Sequence, residues 1–177
     1  MKELVFIGDS LTEYFDWQSR FAEYHVYNLG VSGESVEELL ERLPNTKLLF
    51  LPDYIFVMTG VNNLWRGCSS ILPLYERILN GIKAEFAGAG IVVQSILPVA
   101  MRLDPNLILT INQSLRTMAS MLSIYYLDVH SLFFGSDGEL FRSYLDIDGV
   151  HLTSEGYAVW AAAVEKFLNT RYNGLRV

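Results

Sequence analysis

The chain has 177 residues, 51% of them hydrophobic and 19% charged, a composition that supports one packed core and excludes a disordered polymer. Thirteen Lys and Arg stand against 20 Asp and Glu, a formal net charge of -7, and no basic run occurs, which argues against nucleic acid or an anionic lipid surface as partner. The lone cysteine, Cys68, has no internal disulfide partner, and no stretch reaches the roughly 18 apolar residues of a membrane span.

The first element predicted is a strand at Leu4–Ile7, an apolar run too short for a secretion signal and followed at once by Gly8-Asp9-Ser10. With the cysteine usage, this makes a cytoplasmic protein the expectation. Further strands are expected at Val26–Leu29, Tyr54–Met58, Ile91–Ile96 and Ile124–Leu127. These mostly apolar runs lack a clean alternation, as strands covered on both faces do. Between them, Ser35-Val36-Glu37-Glu38 fits a capping box opening a helix that Pro44 ends. A second helix should run from Ile71 to Phe86, burying Leu74, Ile78, Ile82 and Phe86. Asp104-Pro105 reads as an N-cap and first helical position ahead of the stripe Ile108, Ile111, Leu115, Met118 and Leu122. His130–Gly149 is a long loop with room for a short helix near Glu139–Tyr144, and a last helix uses Tyr157, Trp160, Ala161, Val164 and Phe167. Alternating strands and helices predict one α/β domain over residues 1–177, a parallel sheet between two helical layers.

In such sheets ligands bind beyond the carboxyl ends of the strands. The loops there carry Gly8-Asp9-Ser10-Leu11, Gly30-Val31-Ser32-Gly33, Gly60-Val61-Asn62-Asn63 and Asp148-Gly149-Val150-His151. Together they supply the parts of acyl transfer. A serine hydroxyl needs a base, and the base needs a carboxylate to hold its tautomer, roles open to Ser10, His151 and Asp148. The Ser10 and Gly30 amides and the Asn62 side chain can serve as an oxyanion hole. Asp9, Leu11, Asn63, Trp65 and Val150 are candidate pocket residues, and of the aromatics Tyr14, Phe15, Trp17 and Trp65 some line a pocket while others are core. His130, two residues after Asp128, competes for the role of base, whereas His25 lies at the other edge of the sheet. Cys68 reads as a buried or inert thiol. Three histidines and one cysteine leave no full zinc ligand set around Asp148 and His151, so no metal is expected.

The four blocks, with Pro52-Asp53 before the third strand, Leu97-Pro98 after the fourth and His151-Leu152-Thr153-Ser154-Glu155-Gly156-Tyr157, resemble the SGNH or GDSL hydrolases, especially small bacterial lipase/acylhydrolases. The resemblance spans almost the whole chain. It implies the flavodoxin-like strand order 2-1-3-4-5, a Ser-His-Asp mechanism with no metal or cofactor, and activity on esters or thioesters, without fixing the substrate. One position departs from the pattern: Asn63 stands where the family usually has Asp, which is expected to alter supporting hydrogen bonds while sparing the Asn62 donor. A chain this short has little material for a lid, so short acyl groups such as acetyl are the expected substrates. A thioesterase or lysophospholipase of the same family, or a binding module that has lost turnover, are the alternatives.

Overall fold

The computed structural model describes residues 1–100 and 103–173. Five strands, β1 (Lys2–Gly8), β2 (Tyr24–Gly30), β3 (Tyr54–Met58), β4 (Gly90–Gln94) and β5 (Tyr125–Leu127), pair in parallel in the order β2-β1-β3-β4-β5. This is the SGNH hydrolase fold expected from the sequence. The helices are α1 (Ser10–Glu13), α2 (Trp17–Arg20), α3 (Val36–Arg42), α4 (Val61–Trp65), α5 (Leu72–Glu85), α6 (Pro105–Leu122) and α7 (Ser154–Asn173). They flank the sheet, with α3 packed on α5 and α5 on α6, while Trp17 of α2 meets Trp160 of α7 edge to face.

The central strands are buried along nearly their whole length, so their side chains pack against helices on both faces. Phe6 stacks on Trp17 at 4.1 Å and on Phe56 at 4.9 Å. The two buried indoles each find an acceptor, the Trp17 Nε1–H on the Thr12 carbonyl and the Trp160 Nε1–H on Gln94 Oε1.

Element boundaries differ from the sequence expectation where side chains take over backbone groups. The fourth strand ends before Ile96 because the Asn112 carboxamide of α6 accepts from the Ile96 N–H at 2.8 Å and donates to its carbonyl at 2.9 Å. The fifth begins after Ile124, whose N–H closes α6 by donating to the Ala119 carbonyl, with Ser123 in the left-handed region at φ 53°. Helix α5 buries Tyr75, Ile78, Leu79 and Ile82, a stripe turned slightly from the one expected, and Leu74 is only half-buried. Around Glu139–Tyr144 a single 3-10 turn forms at Arg142–Tyr144, since Leu140 pairs with Phe134 in an isolated antiparallel bridge instead. Helices α1, α2 and α4 have four or five residues, too few to show a helical period.

Register places the chemistry. Gly8, Gly30 and Met58 are aligned partners at the carboxyl ends of β1, β2 and β3, so the loops that follow start side by side. Gly8 has to be glycine: a Cβ there would lie 2.2 Å from the Met58 carbonyl oxygen and 2.3 Å from Thr12 Oγ1.

Candidate active site

The chain leaves β1 at Gly8 and turns at once into α1. Asp9 is the N-cap, its Oδ1 accepting from the Leu11 N–H at 3.0 Å, which orients the first turn and directs Ser10 to the sheet edge. Asp9 is buried, and that burial pushes its carboxyl up to about 7, with the neighbouring Glu34 carboxylate adding to the rise. Tyr157 of α7 ties this turn to the rest of the fold, its hydroxyl donating to the Leu11 carbonyl at 3.0 Å. Ser10 itself is buried apart from its mouthward side.

His151 comes from 141 residues along the chain, yet its Nε2 lies 3.0 Å from Ser10 Oγ, and its Nδ1 lies 2.5 Å from Asp148 Oδ2. The turn that holds it is local. Asp148 Oδ1 accepts from the Val150 and His151 N–H groups, both at 2.9 Å, and the Gly149 N–H reaches the Asp146 carbonyl. Gly149 takes φ 72°, and the Ala100 N–H donates to its carbonyl, so the turn is backed by the segment after β4. Burial raises the Asp148 carboxyl, but hydrogen bonds from the His151 ring and the two amides outweigh it and hold the group at about 2. It is therefore ionised wherever His151 can act as a base.

Asn62 opens the third loop. Its Nδ2 donates to the Glu34 carbonyl at 3.1 Å, which leaves the second amide hydrogen available toward the cavity that Asn62 lines. Asn63 points the other way. It is buried, accepts from the Val36 N–H at 2.9 Å and donates to Glu37 Oε2 at 2.6 Å. The two asparagines thus bolt α4 onto the loop before α3 and onto the start of α3, whose Ser35–Glu38 capping box forms as the sequence predicts. An aspartate at 63 would set a second carboxylate against Glu37. Asn63→Asp is expected to destabilise the fold by about 1–3 kcal/mol in urea titrations, with Glu37→Gln in the same chain restoring most of the loss. Equal stability of Asn63→Asp with and without the second change would count against this coupling.

A cavity of about 300 Å³ opens beside Ser10 and His151. Its walls are largely apolar, formed by Val61, Trp65, Val99 and Val150, with Tyr14 at the mouth and Ser32, Gly33 and Asn62 on the polar side. Several residues expected at this site lie elsewhere. Asp9, Leu11 and Asn63 are buried under the loops and do not line the cavity, Phe15 stacks on Tyr157, and Trp17 is in the core. Gly30 is also absent from the lining: its N–H donates to Asn28 Oδ1 at 3.0 Å. Its lack of a side chain serves packing, because a Cβ would lie 2.4 Å from the Glu13 nitrogen. Gly33 is the glycine of this loop that faces the cavity, at φ 75°, and its N–H has no partner among the described residues. Both glycines stand in Gly30-Val31-Ser32-Gly33, and of the two it is Gly33 whose N–H is without a partner among the described residues.

His130 is buried against Phe134, away from Ser10, and burial holds its imidazole below the ordinary value against the opposing pull of Asp128. His25 is exposed on β2. Cys68, expected as a buried or inert thiol, is exposed and free. Among the described residues no three His, Cys, Asp or Glu side chains converge where a metal ion would sit, and no helix is long and apolar enough to cross a membrane.

The GDSL-like Lipase/Acylhydrolase family model matches residues 6–159, which takes in all four loops. The chain belongs to that family. It is accordingly a GDSL carboxylic ester hydrolase. This hydrolase is 30% identical over 164 residues to platelet-activating factor acetylhydrolase IB subunit alpha2 of Rattus norvegicus, covering 88% of this chain and 71% of that one. A solved structure from Streptococcus pneumonia superposes with a TM-score of 0.86 at 27% identity, covering 94% of this chain and 84% of that one. The acetyl-xylooligosaccharide esterase Axe2 from Geobacillus Stearmophilus shares the fold, with a TM-score of 0.75 at 21% identity and 93% coverage of each chain.

Proposed function

We propose that the protein hydrolyses small esters of short acyl groups through an acyl intermediate on Ser10. The observation that carries this reading is the unbroken line of contacts from Ser10 Oγ to His151 at 3.0 Å and from His151 to Asp148 at 2.5 Å, at the edge of the cavity. As Oγ attacks the ester carbonyl its proton passes to His151 Nε2, and the carbonyl electrons move onto oxygen. The imidazolium then protonates the leaving alkoxide as the carbon–oxygen bond breaks. Water repeats the sequence on the acyl-enzyme and frees Ser10. Asp148, already ionised, keeps the Nδ1 proton in place and balances the imidazolium.

The oxyanion is assigned the Ser10 N–H, the Gly33 N–H and the second amide hydrogen of Asn62. The first two have no partner among the described residues, and the third belongs to a side chain already fixed by Glu34. Donors held in advance cost no reorganisation when the negative charge develops.

The preference for short acyl groups rests on the small cavity and its apolar walls, and the acetylhydrolase relatives agree with it. Across p-nitrophenyl esters, kcat/KM is expected to be highest for acetate to butyrate and to fall roughly tenfold or more by octanoate. A rate that rises steadily with chain length would reject short-acyl specificity and favour a lysophospholipid-like substrate.

A further inference from the structure

Ser10 and Tyr14 are four residues apart on α1 and its C-cap, where the Tyr14 N–H donates to the Ser10 carbonyl. Residues with this spacing share a helix face, so the aromatic ring and the serine hydroxyl are directed to the same side. His151 lies there. The Tyr14 ring stacks over its imidazole, with centroids 5.3 Å apart and planes inclined by 28°. The imidazole is thereby held at three places: Ser10 at Nε2, Asp148 at Nδ1 and Tyr14 across one face.

Tyr14 is 59% exposed, and its hydroxyl makes no hydrogen bond among the described residues. What it offers its surroundings is therefore the ring face. The His151 side chain is itself 32% exposed and that of Asp148 48%, so water screens this pair and the carboxylate alone is a weakened partner for an imidazolium. An aromatic face carries negative charge density at its centre and attracts a cation far more than a neutral ring. The contact is accordingly worth little while His151 is neutral and more once it has taken a proton, which is the condition for speeding the reaction instead of only tightening the resting site.

We propose that Tyr14 is a positioning residue that covers one face of His151 and stabilises the imidazolium formed when Ser10 gives up its proton. The step rests on His151 being the base, as in the function proposed above. The proton moves from Ser10 Oγ to His151 Nε2 while the Oγ–carbon bond forms, and it leaves Nε2 for the departing alkoxide. Tyr14 exchanges no atom. Its aromatic ring keeps the imidazole plane aligned with Ser10 between these two transfers, and it excludes water from the covered face.

The charged and titratable groups acting on His151 are Asp148 at Nδ1, Asp9 from beneath α1 and the Tyr14 ring itself. Asp148 and Asp9 stay in place when Tyr14 is changed, so a change in the titration of His151 reports the ring. In Tyr14→Leu the plateau of kcat/KM for p-nitrophenyl acetate is expected to fall roughly 2- to 10-fold. The acid limb of the pH profile is expected to move down by roughly half a unit to one unit, because the protonated imidazole has lost its aromatic partner. Tyr14→Phe keeps the ring and is expected to recover at least half of the wild-type rate with the limb back in place. A merely packing or substrate-contact role would lower the rate or raise KM with no movement of the limb.

An unmoved acid limb in Tyr14→Leu overturns the proposal whatever the rate, and so does a Tyr14→Phe variant that behaves like Tyr14→Leu, since that result assigns the effect to the hydroxyl. His151→Ala measured alongside separates the two readings. Its loss of turnover combined with an unmoved limb in Tyr14→Leu sinks the Tyr14 assignment alone, whereas turnover that survives in His151→Ala overturns both.

Discussion

Ser10→Ala is expected to lower kcat for p-nitrophenyl acetate by on the order of 10⁴- to 10⁶-fold and to abolish covalent labelling by a fluorophosphonate. The reason is geometric. Ser10 Oγ is the group of the proposed machinery placed to form the acyl bond, and the imidazole that would activate it lies 3.0 Å away with no second hydroxyl on its Nε2 among the described residues. His151→Ala is expected to cost nearly as much, and the double variant Ser10→Ala/His151→Ala little more than either single change, because a nucleophile and its base act as one unit. Stopped-flow and steady-state rates on the three variants check this, with mass spectrometry locating the label. Labelling of Ser10→Ala equal to that of the wild type would remove Ser10 from the mechanism. Turnover that persists in His151→Ala would return attention to His130, although that ring is packed on Phe134 and has no contact with Ser10.

Asn62→Ala is expected to reduce kcat by about 100- to 1,000-fold while changing KM little, since a donor aimed at the oxyanion is used in the transition state and scarcely in the bound ester. The same side chain also holds the Glu34 carbonyl, so a purely structural effect has to be separated from the catalytic one. Thermal unfolding does that: a loss of this one partly buried hydrogen bond is expected to cost about 1 kcal/mol and shift Tm by a few degrees. A kcat that falls less than tenfold, or a fall accompanied by a matching rise in KM, would take Asn62 out of the oxyanion hole. Tight binding of a transition-state analogue such as a boronic acid should weaken in Asn62→Ala by a factor similar to the fall in kcat.

Part of the site was legible because it is local in the chain. Asp148 and His151 are three residues apart around a glycine, close enough for one turn to fold the carboxylate onto the ring, and the capping box at Ser35 and Glu38 satisfies amides within a single turn of helix. The strands were legible for a related reason: burial on both faces demands unbroken apolar runs, and each run is visible in isolation. Ser10 was marked by its place directly after the first such run. Boundaries failed where a distant side chain intervened, as Asn112 does at Ile96.

Other features exist only in three dimensions. Nothing in Gly30-Val31-Ser32-Gly33 says which amide is free, and the answer comes from Asn28, which takes the Gly30 N–H, and from Glu13, whose backbone leaves Gly30 no room for a side chain. Asn63 reads as a departure from a motif until Glu37 is found at 2.6 Å, where an aspartate would meet a like charge. Of four aromatics near the nucleophile, Trp17 and Phe15 went to the core and Tyr14 and Trp65 to the cavity, a division made across three helices too short to show a period and the turn between two of them.

By itself, then, the amino-acid sequence determined the strand-and-helix alternation, the sheet edge where loops gather, and the residue types able to carry acyl transfer, because each depends on neighbours within a few positions. Tertiary structure alone decided that His151 and not His130 reaches Ser10 across 141 residues, that Gly33 and not Gly30 faces the cavity, and that Tyr14 lies over the imidazole. Those choices turn on the relative placement of separate loops, and that placement is set by strand register and packing against the sheet, which no local pattern encodes.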